Sequence, residues 1–126
     1  MPGVDKRLGV MTDTLNQAYA SEVVAYRRAR ANHDQYSAWH HLERAHIVGQ
    51  LKLGLHLRSH WTMLGYALHL RQPREVIGQV ARLILAPIGN GTGRLPWGNI
   101  GRSNVSAFAT MDIPADLHAI IEAARR

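Results

Sequence analysis

Residues 38–69 read A-W-H-H-L-E-R-A-H-I-V-G-Q-L-K-L-G-L-H-L-R-S-H-W-T-M-L-G-Y-A-L-H and hold six of the chain's eight histidines. The stretch is helical in pattern almost throughout, with Gly49 and Gly54 bracketing a turn at Lys52-Leu53-Gly54. His56 and His60 are four apart, so on a helix they leave the same face. Glu43 and His46 are three apart and share a face in the same way. Folding the chain back at Leu53 sets His46, seven residues before the bend, opposite His60, seven residues after it. The spacing therefore predicts one metal site made of His46, His56 and His60, with Glu43 as fourth ligand or base.

Three imidazoles with an open or carboxylate-filled fourth position suit a divalent transition metal: zinc, iron or copper. Gln50, Tyr66, Gln79 and Asn99 are expected to supply hydrogen bonds around that ion or to line its pocket. A histidine pair at helical spacing also occurs on surfaces and in hydrogen-bonded cores, and Glu43 has Arg44, Arg58 and Lys52 as alternative partners. His40, His41 and His69 form a weaker second candidate cluster, because adjacent residues on a helix point apart.

Outward from this stretch the pattern stays helical. Leu15, Ala18, Tyr19, Glu22, Val23, Tyr26 and Ala29 recur at helical steps, which predicts a first helix over 14–31, capped by Thr12 or Asp13, after a flexible lead-in at 1–12. Asp34 or Ser37 caps a second helix that runs to about Leu51. A third spans 55–71 and stops before Pro73. A fourth spans 73–86, buries Val76, Val80, Leu83 and Ile84, and ends at Pro87. Residues 88–112 form a long Gly/Asn-rich loop, in which Trp97, Asn99, Asn104 and Ser106 are placed to close over the histidines. A last helix spans 115–125, with Leu117, Ile120 and Ile121 inward. The expected fold is all-α: a single domain over 1–126, built of helical hairpins as a small four- to five-helix bundle. Ala38, Leu42 and Ala45 give the first hairpin a tetratricopeptide-like look.

The composition narrows the chemistry. The 126 residues include no cysteine, which excludes disulfides, thiolate catalysis and iron–sulfur clusters and fits a cytoplasmic location. No apolar run reaches membrane-spanning length. The net charge of +6 is scattered rather than gathered into a stripe, which argues against nucleic acid. No nucleophile elbow and no phosphate loop is present.

The strings A-W-H-H-L-E-R-A-H-I-V-G-Q (38–50), H-x-x-x-H-x-x-M-L (56–64), E-V-I-G-Q (75–79) and P-W-G-N-I-G-R-S-N-V-S-A-F (96–108) occur in this order. With them the chain resembles, over about residues 14–121, the family grouped as domain of unknown function 3703. The resemblance implies a small helical bacterial protein and carries no assigned activity. The expected function is thus a metal-binding helical protein, either a metal-dependent enzyme or a metal-handling accessory. The alternative is a non-enzymatic, tetratricopeptide-like module that binds a protein partner or a small molecule. Exposed Val, Leu and Ile on the fourth and last helices suggest a homodimer face.

Overall fold

The computed structural model describes residues 6–92, 98–106 and 109–125, with side chains from residue 14 onward. It contains five helices: α1 (Lys6–Ala31), α2 (Gln35–Gly49), α3 (Leu53–His69), α4 (Pro73–Thr92) and α5 (Ala115–Arg125). No strand occurs among the described residues, so the all-α expectation holds. Helices α1 and α2 form one hairpin, α3 and α4 a second, and the two join where α2 packs on α3. Helix α5 returns to pack on α1 and touches α2. No helix among the described residues is long and apolar enough to cross a membrane.

Both hairpins turn by the same device. After α1, the His33 amide donates to the Arg30 carbonyl (3.0 Å) and the Asp34 amide to the Ala29 carbonyl (2.9 Å). After α3, the Arg71 amide donates to Leu68 (3.1 Å) and the Gln72 amide to Ala67 (3.0 Å). These are Schellman closures, which need a left-handed residue just past the helix. Here that residue is His33 (φ 56°) or Arg71 (φ 57°), with no glycine to lighten the steric cost. Asp34 then caps α2 by accepting the Ser37 amide at 3.1 Å.

Two apolar clusters fill the interior. One joins Leu15, Tyr19, Val48, Leu55, Leu117 and Ile121. The other joins Tyr26, Trp39, Leu42, Met63, Tyr66 and Ala67. Along α2 the switch from one cluster to the other falls between Leu42 and Ala45, and along α3 between Leu55 and Met63. Glu43, His46, His56 and His60 are among the polar residues at or beside that switch, and His46, His56 and His60 are buried there.

Three expectations are corrected. Helix α1 begins at Lys6, so most of the expected lead-in is helical. Helix α4 continues through Pro87 to Thr92. Proline removes one backbone donor and crowds the preceding turn, but the turn beyond it is held from outside by Asn90 Nδ2, which donates to the Gln50 carbonyl (3.0 Å), and from within the helix by Thr92 Oγ1, which donates to the Ile88 carbonyl (2.7 Å). Finally, α4 turns a more polar face inward than predicted. Its buried residues are Glu75, Gln79, Arg82 and Ala86; Val76 packs against the second apolar cluster and Leu83 is half-buried, as expected, but Val80 and Ile84 are exposed. The non-helical stretch shrinks accordingly; its described parts, 98–106 and 109–114, carry neither helix nor strand.

His33→Gly and Arg71→Gly should each stabilise the fold by about 1 kcal/mol, because glycine takes the left-handed conformation without the β-carbon clash. Urea unfolding of the two variants checks this, and unchanged or lowered midpoints would refute it.

A buried triad of histidines

Helices α2 and α3 bring His46, His56 and His60 to one point. Their Nε2 atoms lie 3.1 Å apart for His46 and His60, and 3.2 Å apart for His56 and His60. One ligand atom from each lies within 4.8 Å of the others, and all three residues are buried. A metal ion held at ~2.0–2.1 Å by tetrahedral nitrogens separates those nitrogens by ~3.3–3.4 Å. The two close pairs are within a few tenths of an ångström of that edge, so the triad can hold a metal ion.

The outer nitrogens determine which form each imidazole takes. His46 Nδ1 donates to the Asn99 carbonyl oxygen at 2.6 Å. His56 Nδ1 donates to Asn90 Oδ1 at 2.7 Å, and His60 Nδ1 donates to Gln79 Oε1 at 2.7 Å. The two amides are oriented by their own donations. Asn90 Nδ2 goes to the Gln50 carbonyl (3.0 Å), and Gln79 Nε2 goes to the Gly101 carbonyl (2.8 Å) and Glu75 Oε2 (3.3 Å). All three acceptors are carbonyl-type oxygens, so each Nδ1 must carry the hydrogen, and each Nε2 of a neutral ring presents a lone pair. Three lone pairs meet with no hydrogen among them, an arrangement that a cation relieves.

Electrostatics keep the rings neutral. Burial pushes His46 far below the ordinary histidine range, reinforced by His60 and His56. Burial lowers His56 as well, against the Asn90 hydrogen bond. Burial likewise lowers His60, to about 4, against the hydrogen bond it donates to Gln79. Neutral imidazole is the ligand form, so these rings need lose no proton near neutral pH to bind metal.

The segment after α4 closes the site. Gly101 has φ +82° and lies against the His46 ring; a β-carbon there would come within 2.7 Å of it. Asn99 is 2% exposed and works twice. Its backbone carbonyl holds His46, while its side chain ties the segment to itself: Nδ2 donates to Ser106 and Ala109 (each 2.8 Å), and Oδ1 accepts the Gly101 amide (2.8 Å). Arg82 reaches from α4 to the Arg102 (2.9 Å) and Val105 (2.6 Å) carbonyls. The Ser103 amide donates to Glu75 at 2.7 Å, and Arg102 Nε also bonds the Glu75 carboxylate. Burial would raise Glu75, but the hydrogen bonds from Arg102 and Ser103 overcome it and hold the carboxyl below its usual range.

Of the expected surrounding residues, Gln79 bonds His60 directly, Gln50 acts through its backbone behind Asn90, and Asn99 acts through its carbonyl. Tyr66 does not reach the site. Its ring packs on Trp39 (5.0 Å) and Tyr26 (5.4 Å) in the second apolar cluster, because it follows His60 by six residues and so leaves α3 on another side. Glu43 is turned to Arg102 (3.2 Å) and lines a pocket with Trp39 and His40; the described metal-competent group does not include it. One helical turn before His46, it meets the Arg102 guanidinium, which lies over the Trp39 ring at 3.6 Å. His41 bonds Glu22 at 2.8 Å and His69 stacks on Tyr66, so they form no second described metal cluster with His40. Asn104 and Ser106 are exposed, and Trp97 lies outside the described residues.

Asn90, Glu75, Arg82, Gly101 and Arg102 were not singled out from sequence. Asn90 had a readable signal: it follows Gln79 by eleven residues, three helical turns, so the two share a face once α4 runs past Pro87.

Gly101→Ala should destabilise the fold by more than about 2 kcal/mol, from the left-handed backbone together with the clash on His46; a loss under 0.5 kcal/mol in chemical unfolding would contradict the packing. The metal-free protein should also lose stability as pH falls from about 6.5 toward 4, the span of the His60 shift. The sign follows from proton counting: between those values the unfolded chain binds protons that the native histidines refuse, so unfolding is favoured by up to ~1.4 kcal/mol per pH unit per histidine. Urea midpoints that stay flat between pH 7 and pH 5 would rule this out.

No curated protein and no solved structure matches the chain. The sequence profile described as "Protein of unknown function (DUF3703)" matches residues 13–121, which is most of the chain, and the protein belongs to that family.

Proposed function

We propose that this protein binds one divalent transition-metal ion, zinc foremost, through Nε2 of His46, His56 and His60, and uses it as a Lewis-acid centre. The observation that carries this reading is the set of three buried imidazoles, each anchored at Nδ1 on a neutral oxygen. Structural zinc sites close with four protein ligands, whereas catalytic sites keep three and leave the fourth to water or substrate. Among the described residues no fourth metal-competent side chain joins the group. A zinc ion so held polarises a bound carbonyl or brings the pKa of bound water near 7. Three neutral ligands leave the ion its full charge, and buried Arg82 adds to the positive field felt by His46 and His60. Both favour an anionic or polarised fourth ligand. Iron and copper also accept imidazole, and a handling role would use the same ligands.

Protein purified without a histidine tag should contain near-stoichiometric metal, or take up one equivalent of zinc after chelation. His56→Ala and His60→Ala should lose it, and binding should persist below the ordinary histidine range and weaken as pH falls toward about 4, where His60 takes up a proton. Cobalt(II) tests the open position: visible bands that move on adding azide, or on titrating pH, support the catalytic reading. Bands indifferent to both support a handling role. Folded protein that takes up no zinc, copper or iron ends the proposal.

A second reading is a binding module, favoured by a trough of about 850 Å³ between α1 and α3. Its lining includes Tyr19, Val23, Arg27, Lys52, Arg58 and Thr62. Those three cations sit beside apolar residues with no carboxylate among the described lining residues, which suits an anionic peptide or small amphiphile. Retention of an acidic peptide by the metal-free protein, abolished by Arg58→Glu, would favour it.

A further inference from the structure

The trough between α1 and α3 contains a polar atom that the fold leaves unused. Tyr19 is only 4% exposed, yet its hydroxyl has no hydrogen-bond partner of normal geometry among the described residues. Thr62 lies near it, but the Thr62 hydroxyl donates to the Arg58 carbonyl at 2.9 Å. A buried hydroxyl without a partner costs free energy and calls for a reason. Arg58 and Thr62, the side chains that act on this hydroxyl, both line the trough, so it faces the trough rather than the core. Burial pushes it up to about 12, against Arg58 and Thr62, so it stays protonated and offers a hydrogen. An oxygen acceptor is what completes it.

The surrounding charge selects an anion. Arg58 acts directly on the hydroxyl, Lys52 lies ~9 Å before Arg58 along the chain into α3, and Arg27 lies ~12 Å past Tyr19 along α1. None of the three cations makes an ion pair among the described residues. A guanidinium beside a neutral hydroxyl donor suits one carboxylate, and Lys52 and Arg27 remain for others. An amphiphile brings one headgroup to one such place, whereas a peptide with several acidic residues serves all three. Ala20, Val23 and Leu55 in the same lining accept its apolar side chains. From Asn16 to Arg27 the trough runs ~16 Å along α1, the reach of about five extended residues. Nucleic acid fits poorly, because single strands need exposed rings to stack on and Tyr19 is buried. A second copy fits poorly too. The chain carries a net charge of +6, and Glu22, Glu43, Glu75 and Asp116 are already paired with its own arginines.

We propose that the trough binds a short acidic segment of a partner protein, one carboxylate of which seats on the Tyr19 hydroxyl and the Arg58 guanidinium. This occupant presupposes the binding-module reading of the trough and is independent of the metal centre. A fluorescein-labelled peptide of Glu-Leu repeats, titrated with the full chain and followed by anisotropy, tests it. Its Gln-Leu counterpart, dodecanoate and a thymidine oligonucleotide are run beside it. The glutamate peptide should bind at least ~10-fold tighter than the glutamine one. Tyr19→Phe should weaken it ~10-fold, the loss of one hydrogen bond to a charged group, while the urea midpoint of the free protein does not fall. Arg58→Gln should weaken it at least as much. Equal binding of the two peptides, unchanged affinity in Tyr19→Phe, a midpoint lowered together with affinity, or tighter binding of the oligonucleotide would each overturn the proposal. Binding of dodecanoate without the glutamate peptide would reject the acidic segment and keep the binding module; binding of neither would reject both.

Discussion

Three hydrogen bonds from histidine Nδ1 atoms to carbonyl-type oxygens hold the centre of this molecule. Each fixes the tautomer of its ring and the direction of its lone pair. Each acceptor comes from a different place: the segment after α4 for His46, the last turn of α4 for His56, and mid-α4 for His60. The rings on α2 and α3 can therefore converge only when α4 and that segment are in place. A buried polar cluster this dense is tolerable because its outer side is satisfied; a half-satisfied one would cost more than an apolar core.

This requirement shapes α4. Its inward face must supply amides to the histidines and a carboxylate and guanidinium to the segment that covers them, so the face is Glu75, Gln79, Arg82 and Asn90. Ile77, Val80, Ile84 and Ile88 are left to point outward, while Val76 packs on the second apolar cluster. A run of hydrogen bonds links the interior to the surface pocket: His60 to Gln79, Gln79 to Glu75, Glu75 to Arg102, and Arg102 to Glu43. Glu43 thus belongs to the support of the site. Burial raises its carboxyl above the usual range, while Arg102 works the other way. Arg102 joins the two carboxylates while lying across the Trp39 ring, which also ties the second apolar cluster to the centre.

The sequence carried the helices and the histidine convergence. The 3.6-residue period in Leu15 to Ala29 and the i,i+4 pair His56 and His60 are local facts, written in spacing, and a bend near Leu53 suffices to bring His46 across. It also carried Gln79, one of the amides behind the rings. Local rules misplaced what followed Pro87, because proline normally ends a helix and here outside hydrogen bonds to Asn90 keep the last turn wound. They misread α4 because a strong apolar stripe ordinarily faces the core.

The sequence by itself determined an all-α chain with two hairpins and three imidazoles able to meet, since side-chain direction on a helix follows from backbone period alone. The tertiary structure decided which oxygens hold those imidazoles, that Glu43 serves Arg102, and which side of α4 faces in. These depend on a segment without periodicity, where Asn99 and Gly101 act through a backbone carbonyl and a missing side chain, and such contributions leave no trace in residue spacing.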